Sequence, residues 1–549
     1  MPFPTVPTLM LAVGGTLLIL GRWVQSSRWY ETVWLMSAIG AAVLLLTGDA
    51  TVVNTAPADA RPMVWASDAL GITGIWFALV VGIVLGIGSF GIHGSHDRTA
   101  ERLGFLTFLM SGVMLAACSN DLVTLGLSME IVQFAAWALR KTDHLENPVA
   151  SPQTDPGSAH SRDEVSLWLG IITSACLWLG IGLLSNLTAS SHFDQIRLVL
   201  TDAYVPDGGR TVIGAGSKLG LLAIGLMIAG LGGRVGLVPW QIAFAEQSRN
   251  VGYWTAGCVL LGSQLAGILA MARLCGTVWL GYRDELLVLL LVLGTLTCIV
   301  SAALSGLGLL KHEGRLRRWT VSLTLLHGAW LTFGLMAVAA DLATPDQSLL
   351  AAGSQPGALA LLLFAVAGSQ VGLAGLFLTL SYLSRENRDV EFIEELLGLG
   401  RLSPVPAGVL VVVLASLIGQ PPLWGFWSNW LMLVAGLNVR SSGGREQAAP
   451  HLGLLLGLIV ATIATVMTAG VVIRVARIVL LEQPISHALP QGRRSALVAS
   501  CGCALVLLVV GLYPAPLLNL LSEVRTSDTK SRPNEGGGGN RGSSTAQVR

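Results

Sequence analysis

The chain has 549 residues, of which 53% are hydrophobic and only 12% are charged. Soluble domains carry about 25% charged residues, so this composition excludes a string of soluble domains and predicts an all-α polytopic protein embedded in a lipid bilayer. The formal net charge of +1 gives no indication of nucleic-acid binding.

Fourteen apolar runs follow one another along the chain, bounded by charges, prolines or glycine clusters. About 20 such residues suffice to cross the hydrocarbon layer as an α-helix. The predicted spans are residues 5–22, 30–47, 69–92, 103–119, 121–139, 165–185, 212–236, 251–273, 285–309, 319–340, 357–383, 404–437 (interrupted), 452–480 and 496–520.

Basic residues set the expected orientation of these spans. The loops after odd-numbered spans hold most of the loop Lys and Arg, which predicts that these loops face the cytoplasm. An even number of spans then places both termini on the non-cytoplasmic side. The hydrophilic tail from Ser522 carries four consecutive glycines at 536–539 and is expected to be disordered.

Apart from Asp121 at its start, the fifth span contains a single acid, Glu130, halfway along its length. It lies nine positions after Asp121, a rise of about 13 Å at ~1.5 Å per residue, which places the carboxylate near the middle of a layer about 30 Å thick. Intramembrane charges are costly, so they are typically paired and functional. The sequence therefore predicts a buried partner for Glu130.

Two spans are interrupted by glycine and proline. The seventh reads LGGRVGLVPW at 231–240, with Gly233 and Pro239, and the twelfth reads IGQPPLWGFWSNW at 418–430, with Pro421 and Pro422. Proline removes a backbone donor, and unwound backbone at membrane depth needs protein or a water-filled cavity around it. Two such breaks, five spans apart, favour an internal repeat of about five helices and an ion pathway. The alternative is that both are kinks that serve packing alone.

Arg234, inside the interrupted seventh span, is the leading candidate partner for Glu130. The alternative is that its side chain snorkels to the nearer interface. His327 in the tenth span is an intramembrane imidazole, which suits either proton transfer or a hydrogen-bonded place in the core. Gln264 and Asn429, in the eighth and twelfth spans, can hold water but cannot carry charge.

Motifs for cofactors are missing from the sequence. It contains no glycine-rich dinucleotide loop after a strand, no Walker loop, no metal-ligand cluster and no nucleophile–base set. The seven cysteines are odd in number and lie mostly in apolar runs, which favours helix packing over disulfides or a thiolate metal site. We therefore expect no cofactor and no metal in this chain.

Six stretches together resemble subunit N of the proton-pumping NADH–quinone oxidoreductase (complex I), a family of antiporter-like membrane subunits. They are NDLVTLGLSMEIVQF, GLGGRVGLVPWQIAFAEQ, RRWTVSLTLLHGAW, LGLGRLSP, SLIGQPPLWGFWSNW and GLYPAPLL, in the family's order and spacing. The resemblance covers roughly residues 100–520 and implies a divergent member.

The resemblance implies two inverted five-helix repeats, spans 4–8 and 9–13, each with a broken helix. The corresponding organisation is N-terminal spans in 1–99, repeats in 100–275 and 276–483, a C-terminal helix in 484–521 and the polar tail 522–549. It implies a multi-pass subunit of the cell inner (plasma) membrane whose partners are other membrane-arm subunits, lipid and protons. NADH, flavin, iron–sulfur clusters and quinone would lie on partner subunits, and the complex would be a proton-translocating enzyme.

The same resemblance implies buried lysines where this chain has Arg234, Gln264 and Asn429, whereas Glu130 and His327 match the family pattern. Arginine keeps its proton under all physiological conditions and amides do not titrate. The sequence therefore leaves three hypotheses open: a proton-translocating subunit, a non-conducting structural subunit of the same complex, and a subunit of a multisubunit cation/proton antiporter or membrane-bound hydrogenase.

Overall fold

A computed structural model describes residues 5–20, 27–47, 68–90, 98–146, 156–202, 218–310, 315–341, 357–384, 390–437, 452–484 and 493–530. Across these residues the regular structure is helical, and the only β-pairing is a pair of isolated bridges. Twelve helices are long and apolar enough to cross a membrane. The chain is therefore an all-helical polytopic membrane protein, as its composition predicts.

The helices follow one another in this order: α1 Thr5–Leu20, α2 Ser27–Thr47, α3 Ala69–Ser89, α4 Thr99–Cys118, α5 Leu122–Glu146, α6 Pro156–Thr188, α7 Phe193–Asp202, α8 Lys218–Val235, α9 Gln241–Gln247, α10 Tyr253–Gly276, α11 Arg283–Leu310, α12 Leu316–Asp341, α13 Ala358–Leu383, α14 Leu399–Leu402, α15 Pro404–Leu417, α16 Trp424–Leu437, α17 Leu452–Leu480, α18 Arg494–Leu512 and α19 Ala515–Lys530. Short 3₁₀ turns cover Trp279–Tyr282 and Ile393–Leu396.

Two of the fourteen predicted spans fall on shorter apolar helices, Val6–Ile19 and Pro404–Leu417. The first has fewer residues than a full crossing needs, and the second is half of the interrupted twelfth span. The twelve long helices therefore account for the other predicted spans.

The end of the chain differs from the prediction. The last predicted span, 496–520, is divided, because α18 ends at Leu512 and α19 begins only at Ala515, just after Pro514. Proline lacks the N–H that would continue the helix. Helix α19 then continues to Lys530, so the expectation of disorder from Ser522 is wrong up to that residue. The remainder of the tail, 531–549, lies outside the described residues.

Helices α10 and α12 form the centre of the bundle. All residues of their apolar segments are buried, and α13 is almost as completely enclosed, whereas most of α2 and α6 is not buried. A helix that is apolar on all sides is stable only when neighbours surround it, and α10 packs against α4, α5, α8, α12 and α13. Polar side chains on α10 and α12 are therefore held deep inside protein.

The first interruption begins where α8 ends. Gly236 adopts φ +85°, in the left-handed region that glycine tolerates best. Its N–H and that of Leu237 both donate to the carbonyl of Gly232 at 2.9 Å, which closes the helix end. Pro239 follows, and the chain becomes helical again at Gln241. Gly233 belongs to the last turn of α8 itself.

The second interruption has the same form. Gly419 adopts φ +76° just after α15. It donates to the carbonyl of Ser416 at 2.9 Å, and Gln420 donates to that of Ala415 at 2.9 Å. Pro421 and Pro422 follow, before α16 begins at Trp424. In each interruption a left-handed glycine therefore precedes a proline by three residues.

Candidate functional site

Glu130 lies half-buried in the middle of α5 and accepts a hydrogen bond from α6. The indole Nε1 of Trp178 donates to its Oε1 at 3.3 Å. One turn earlier on α5, a Cβ at Gly126 would lie only 2.9 Å from Cη2 of the same indole. The missing side chain at Gly126 therefore lets the ring lie against α5 and reach the carboxylate.

Arg234 lies in the last turn of α8, and only 1% of its surface is exposed. Its Nη2 donates to the hydroxyl Oγ of Ser174 on α6 at 2.9 Å, while its Nε is buried without a hydrogen-bond partner among the described residues. A Cβ at Gly233 would lie 2.5 Å from Cγ2 of Thr173, so α8 and α6 are in close contact here. Arg234 is thus a buried cation and does not snorkel to the interface.

The predicted direct contact between Glu130 and Arg234 is not formed: among the ion pairs of the described residues, none joins these two. They remain close enough to interact electrostatically. The reason is that α6 packs against both α5 and α8. Its Trp178 and Ser174 take the hydrogen-bonding positions nearest the acid and the guanidinium.

Sequence reasoning missed Ser174 and Trp178. Most of the chain's tryptophans lie near span ends, where the interface accommodates the indole N–H. Trp178 lies within the sixth span, and an indole N–H at that depth needs an acceptor in the protein. That position was the available signal for a contact with Glu130.

Gln264 is fully buried on α10 and belongs to a pair of amides. Its Nε2 donates to the carbonyl of Thr324 on α12 at 2.9 Å, and its Oε1 accepts from Nε2 of Gln370 on α13 at 3.2 Å. Gln370 is 1% exposed, and its own Oε1 has no partner among the described residues. The position at which the resemblance implies a lysine therefore holds a neutral hydrogen-bonded amide pair.

His327 is buried on α12, with its Nδ1 2.9 Å from the carbonyl of Leu323. It lines a cavity of about 20 Å³ beside the second interruption. Polar groups around the cavity come from α13, α15 and α16: Ser369, Ser416, Ser428 and Asn429. A polar cavity of this size accommodates about one water molecule. His327 and Asn429 therefore border one common space.

Asn429 itself is half-buried on α16 and faces the interruption. A Cβ at Gly419 would lie 2.8 Å from its Nδ2, so the side chain lies over the unwound backbone.

Metal ligands are not clustered here or elsewhere in the described ranges: no group of three or more His, Cys, Asp or Glu side chains could hold an ion. All seven cysteines are free thiols.

Comparisons with known proteins show which membrane subunits this chain resembles. A family model described as "NADH:quinone oxidoreductase/Mrp antiporter, TM" matches residues 348–442. NADH-quinone oxidoreductase subunit N 1 of Rhizobium meliloti (strain 1021) is 23% identical over 490 residues, covering 87% of this chain and 88% of the relative. Other relatives with the name subunit N are 22% to 25% identical.

Solved structures share the fold. A chain of respiratory complex I from Thermus thermophilus with bound aureothin is 18% identical with a TM-score of 0.70, covering 94% of this chain and 99% of that chain. A chain of the Mrp complex from Dietzia sp. DQ12-45-1b is 15% identical with a TM-score of 0.73, covering 96% and 98%. The chain is thus similar along most of its length to subunit N of NADH–quinone oxidoreductases, at 23% identity to the Rhizobium meliloti relative, and it shares its fold with chains of complex I and of the Mrp complex.

Proposed function

We propose that the chain is a membrane-arm subunit of an NADH–quinone oxidoreductase and contributes to coupled proton translocation. The observation that carries this proposal is the similarity to subunit N along most of the chain, together with the intramembrane acid Glu130 and the buried guanidinium of Arg234 at the end of the interrupted helix α8. NADH, flavin, iron–sulfur clusters and quinone belong to partner subunits in this scheme. The complex works in the inner (plasma) membrane beside other membrane-arm subunits.

The polar residues of the site define a route across the bundle. Glu130 on α5 and Arg234 on α8 form its first part, the Gln264 amide continues it on α10, and His327 with Asn429 ends it beside α15 and α16. Only the carboxyl group of Glu130 and the imidazole of His327 exchange a proton readily, since arginine and amides do not titrate near neutral pH. Proton movement between them therefore requires water, for which the cavity at His327 provides a place.

In this proposal the chain crosses the membrane fourteen times, with both termini on the non-cytoplasmic side. Residues 100–275 and 276–483 form two inverted repeats. Two antiparallel bridges support the repeat. Asp121, just before α5, pairs with His192, and Arg315, just before α12, pairs with Phe392. Each bridge joins the start of one predicted span to the segment after the next, at equivalent places in the two repeats. The shared glycine–proline spacing of the two interruptions adds to this correspondence.

A reconstituted complex tests the proposal. Protons translocated per NADH oxidised are measured in liposomes for the parent complex, for Glu130→Gln and for the control Glu246→Gln. The control removes an acid that pairs with Arg249 in the segment after α9, at a side-chain exposure of 21%. We expect the ratio to fall only in the first variant. An unchanged ratio in Glu130→Gln refutes a role of this chain in pumping.

One observation favours a second candidate, a non-conducting structural subunit of the same complex. The three positions at which the resemblance implies lysine hold Arg234, Gln264 and Asn429, none of which exchanges a proton near neutral pH. Under this alternative Glu130→Gln leaves the proton ratio unchanged, and the double variant Gln264→Lys with Asn429→Lys adds proton flux only if a hydrated path remains.

A further inference from the structure

Two side chains of α6 connect the intramembrane acid to the buried guanidinium. Trp178 donates to Glu130 at 3.3 Å, and Ser174 accepts from Arg234 at 2.9 Å. Residues four positions apart are neighbours on one side of an α-helix, so the indole and the hydroxyl lie one turn from each other. The charges on α5 and α8 are thus joined through adjacent residues of a third helix.

The geometry points to Ser174 and Trp178 as positioning residues. They hold Glu130 and Arg234 in a separated, hydrogen-bonded arrangement and thereby set how strongly the two charges act on each other. This inference rests on the proposed function, because it concerns the residues to which that proposal assigns proton coupling. We call the pair Ser174 and Trp178 the α6 bridge.

Close packing on both sides fixes the α6 bridge. On the α5 side, the indole lies against Gly126, where a Cβ would be 2.9 Å from the ring. On the α8 side, a Cβ at Gly230 would lie 2.8 Å from both the carbonyl oxygen of Thr173 and the backbone nitrogen of Leu177. Backbone-to-backbone approach of this kind leaves helix α6 little freedom to shift between its neighbours.

The α6 bridge competes with a direct contact between the charges. Guanidinium offers five N–H donors and no acceptor, and Nε of Arg234 is buried with no partner in the described part of the chain. An unsatisfied buried donor is costly. A direct contact with Glu130, or a water molecule bound at Nε, would satisfy it. The separated arrangement therefore persists because Ser174 and Trp178 occupy the nearest hydrogen-bonding positions.

This inference is tested by substituting the α6 bridge residues and measuring NADH-driven proton uptake by the whole complex in liposomes. Trp178→Phe keeps an aromatic ring but removes the N–H, and Ser174→Ala removes the hydroxyl, whereas Ser174→Thr retains it. Removing a hydrogen bond to a charged group is expected to lower NADH-driven proton uptake about tenfold. We expect Ser174→Thr to restore uptake.

Matched controls come from the same helix. Trp168→Phe alters an indole that is 62% exposed, and Ser185→Ala removes a hydroxyl that has no hydrogen-bond partner among the described residues. Both should leave uptake unchanged. In a Glu130→Gln background, Trp178→Phe should cause no further loss, because a residue that acts through Glu130 has nothing left to act on. If Trp178→Phe lowers proton uptake by the same factor in both backgrounds, or lowers it in neither, the inference is overturned.

An infrared measurement separates failure of the α6 bridge from failure of the proposed function. The carboxyl band of Glu130 is assigned as the band lost in Glu130→Gln, in pH-induced difference spectra of the reconstituted complex. We expect Trp178→Phe to shift this band and Trp168→Phe to leave it in place. An unshifted band overturns the α6 bridge whatever the proton count. An unchanged proton count in Glu130→Gln refutes pumping but leaves the band shift as the test of the bridge.

Discussion

The contact between α6 and α8 gives the most quantitative prediction. Gly230 lies one turn before Arg234, and a Cβ there would be 2.7 Å from Cβ of Leu177 and 2.8 Å from the carbonyl oxygen of Thr173. Ordinary contacts begin near 3.5 Å, so in Gly230→Ala the helices must separate by about 0.7 Å. The Arg234–Ser174 hydrogen bond, now 2.9 Å, would lengthen past the usual limit of about 3.2 Å.

The change in the free energy of unfolding combines one gain and two costs. Alanine favours a helix interior over glycine by about 1 kcal/mol, while overpacking of this kind costs about 1–3 kcal/mol and loss of the charged hydrogen bond about 1.5–3 kcal/mol. The expected net loss for Gly230→Ala is about 3 kcal/mol, from the middle of each range.

Gly225→Ala on the same helix is the matched control, since a Cβ there meets no atom within 4 Å. The assay is the midpoint of thermal unfolding of the purified chain in detergent. We expect Gly225→Ala to unfold at or above the parent temperature and Gly230→Ala several degrees below it. Equal midpoints for the two variants would refute the close approach of α6 and α8.

Two further variants concern stability away from the charged pair. Arg273 is 3% exposed and pairs with Asp68. Because Asp68 is partly exposed, Arg273→Ala should lower the free energy of unfolding by about 2 kcal/mol, less than the loss of a fully buried pair would. A thermal unfolding midpoint equal to that of Arg477→Ala, whose ion pair is exposed, would contradict this. Gln264→Leu leaves the amide of Gln370 without its hydrogen-bond partner and should destabilise the protein by about 1–3 kcal/mol. Replacing both glutamines by leucine should recover most of this loss. Additive losses of the two single variants in thermal unfolding would count against the amide pair.

Much of the helical framework is predictable from the sequence, because long apolar runs have few alternatives in a membrane. The interruptions are also visible, since Gly236 and Gly419 adopt backbone conformations that other residues rarely tolerate, and prolines follow both. The last span is mispredicted because its apolar composition continues past Pro514, and hydropathy is insensitive to the missing backbone donor.

The site is predictable in its members but not in its contacts. Glu130 and Arg234 are identifiable because charge in an apolar span is costly. Their separation depends on α6 passing between α5 and α8, which no local pattern specifies. The partner of Gln264 is equally hidden, because Gln370 lies 106 positions away along the chain.

In the proposed function, Glu130 and Arg234 act as one electrostatic unit in proton coupling, although α6 keeps them from direct contact. The most direct measurement is the number of protons translocated per NADH oxidised in complexes carrying Glu130→Gln, Arg234→Gln or both. If the claim is right, the double variant loses no more than the more severe single variant, because either change already disables the unit. Independent, additive losses, or a full proton count in every variant, would contradict it.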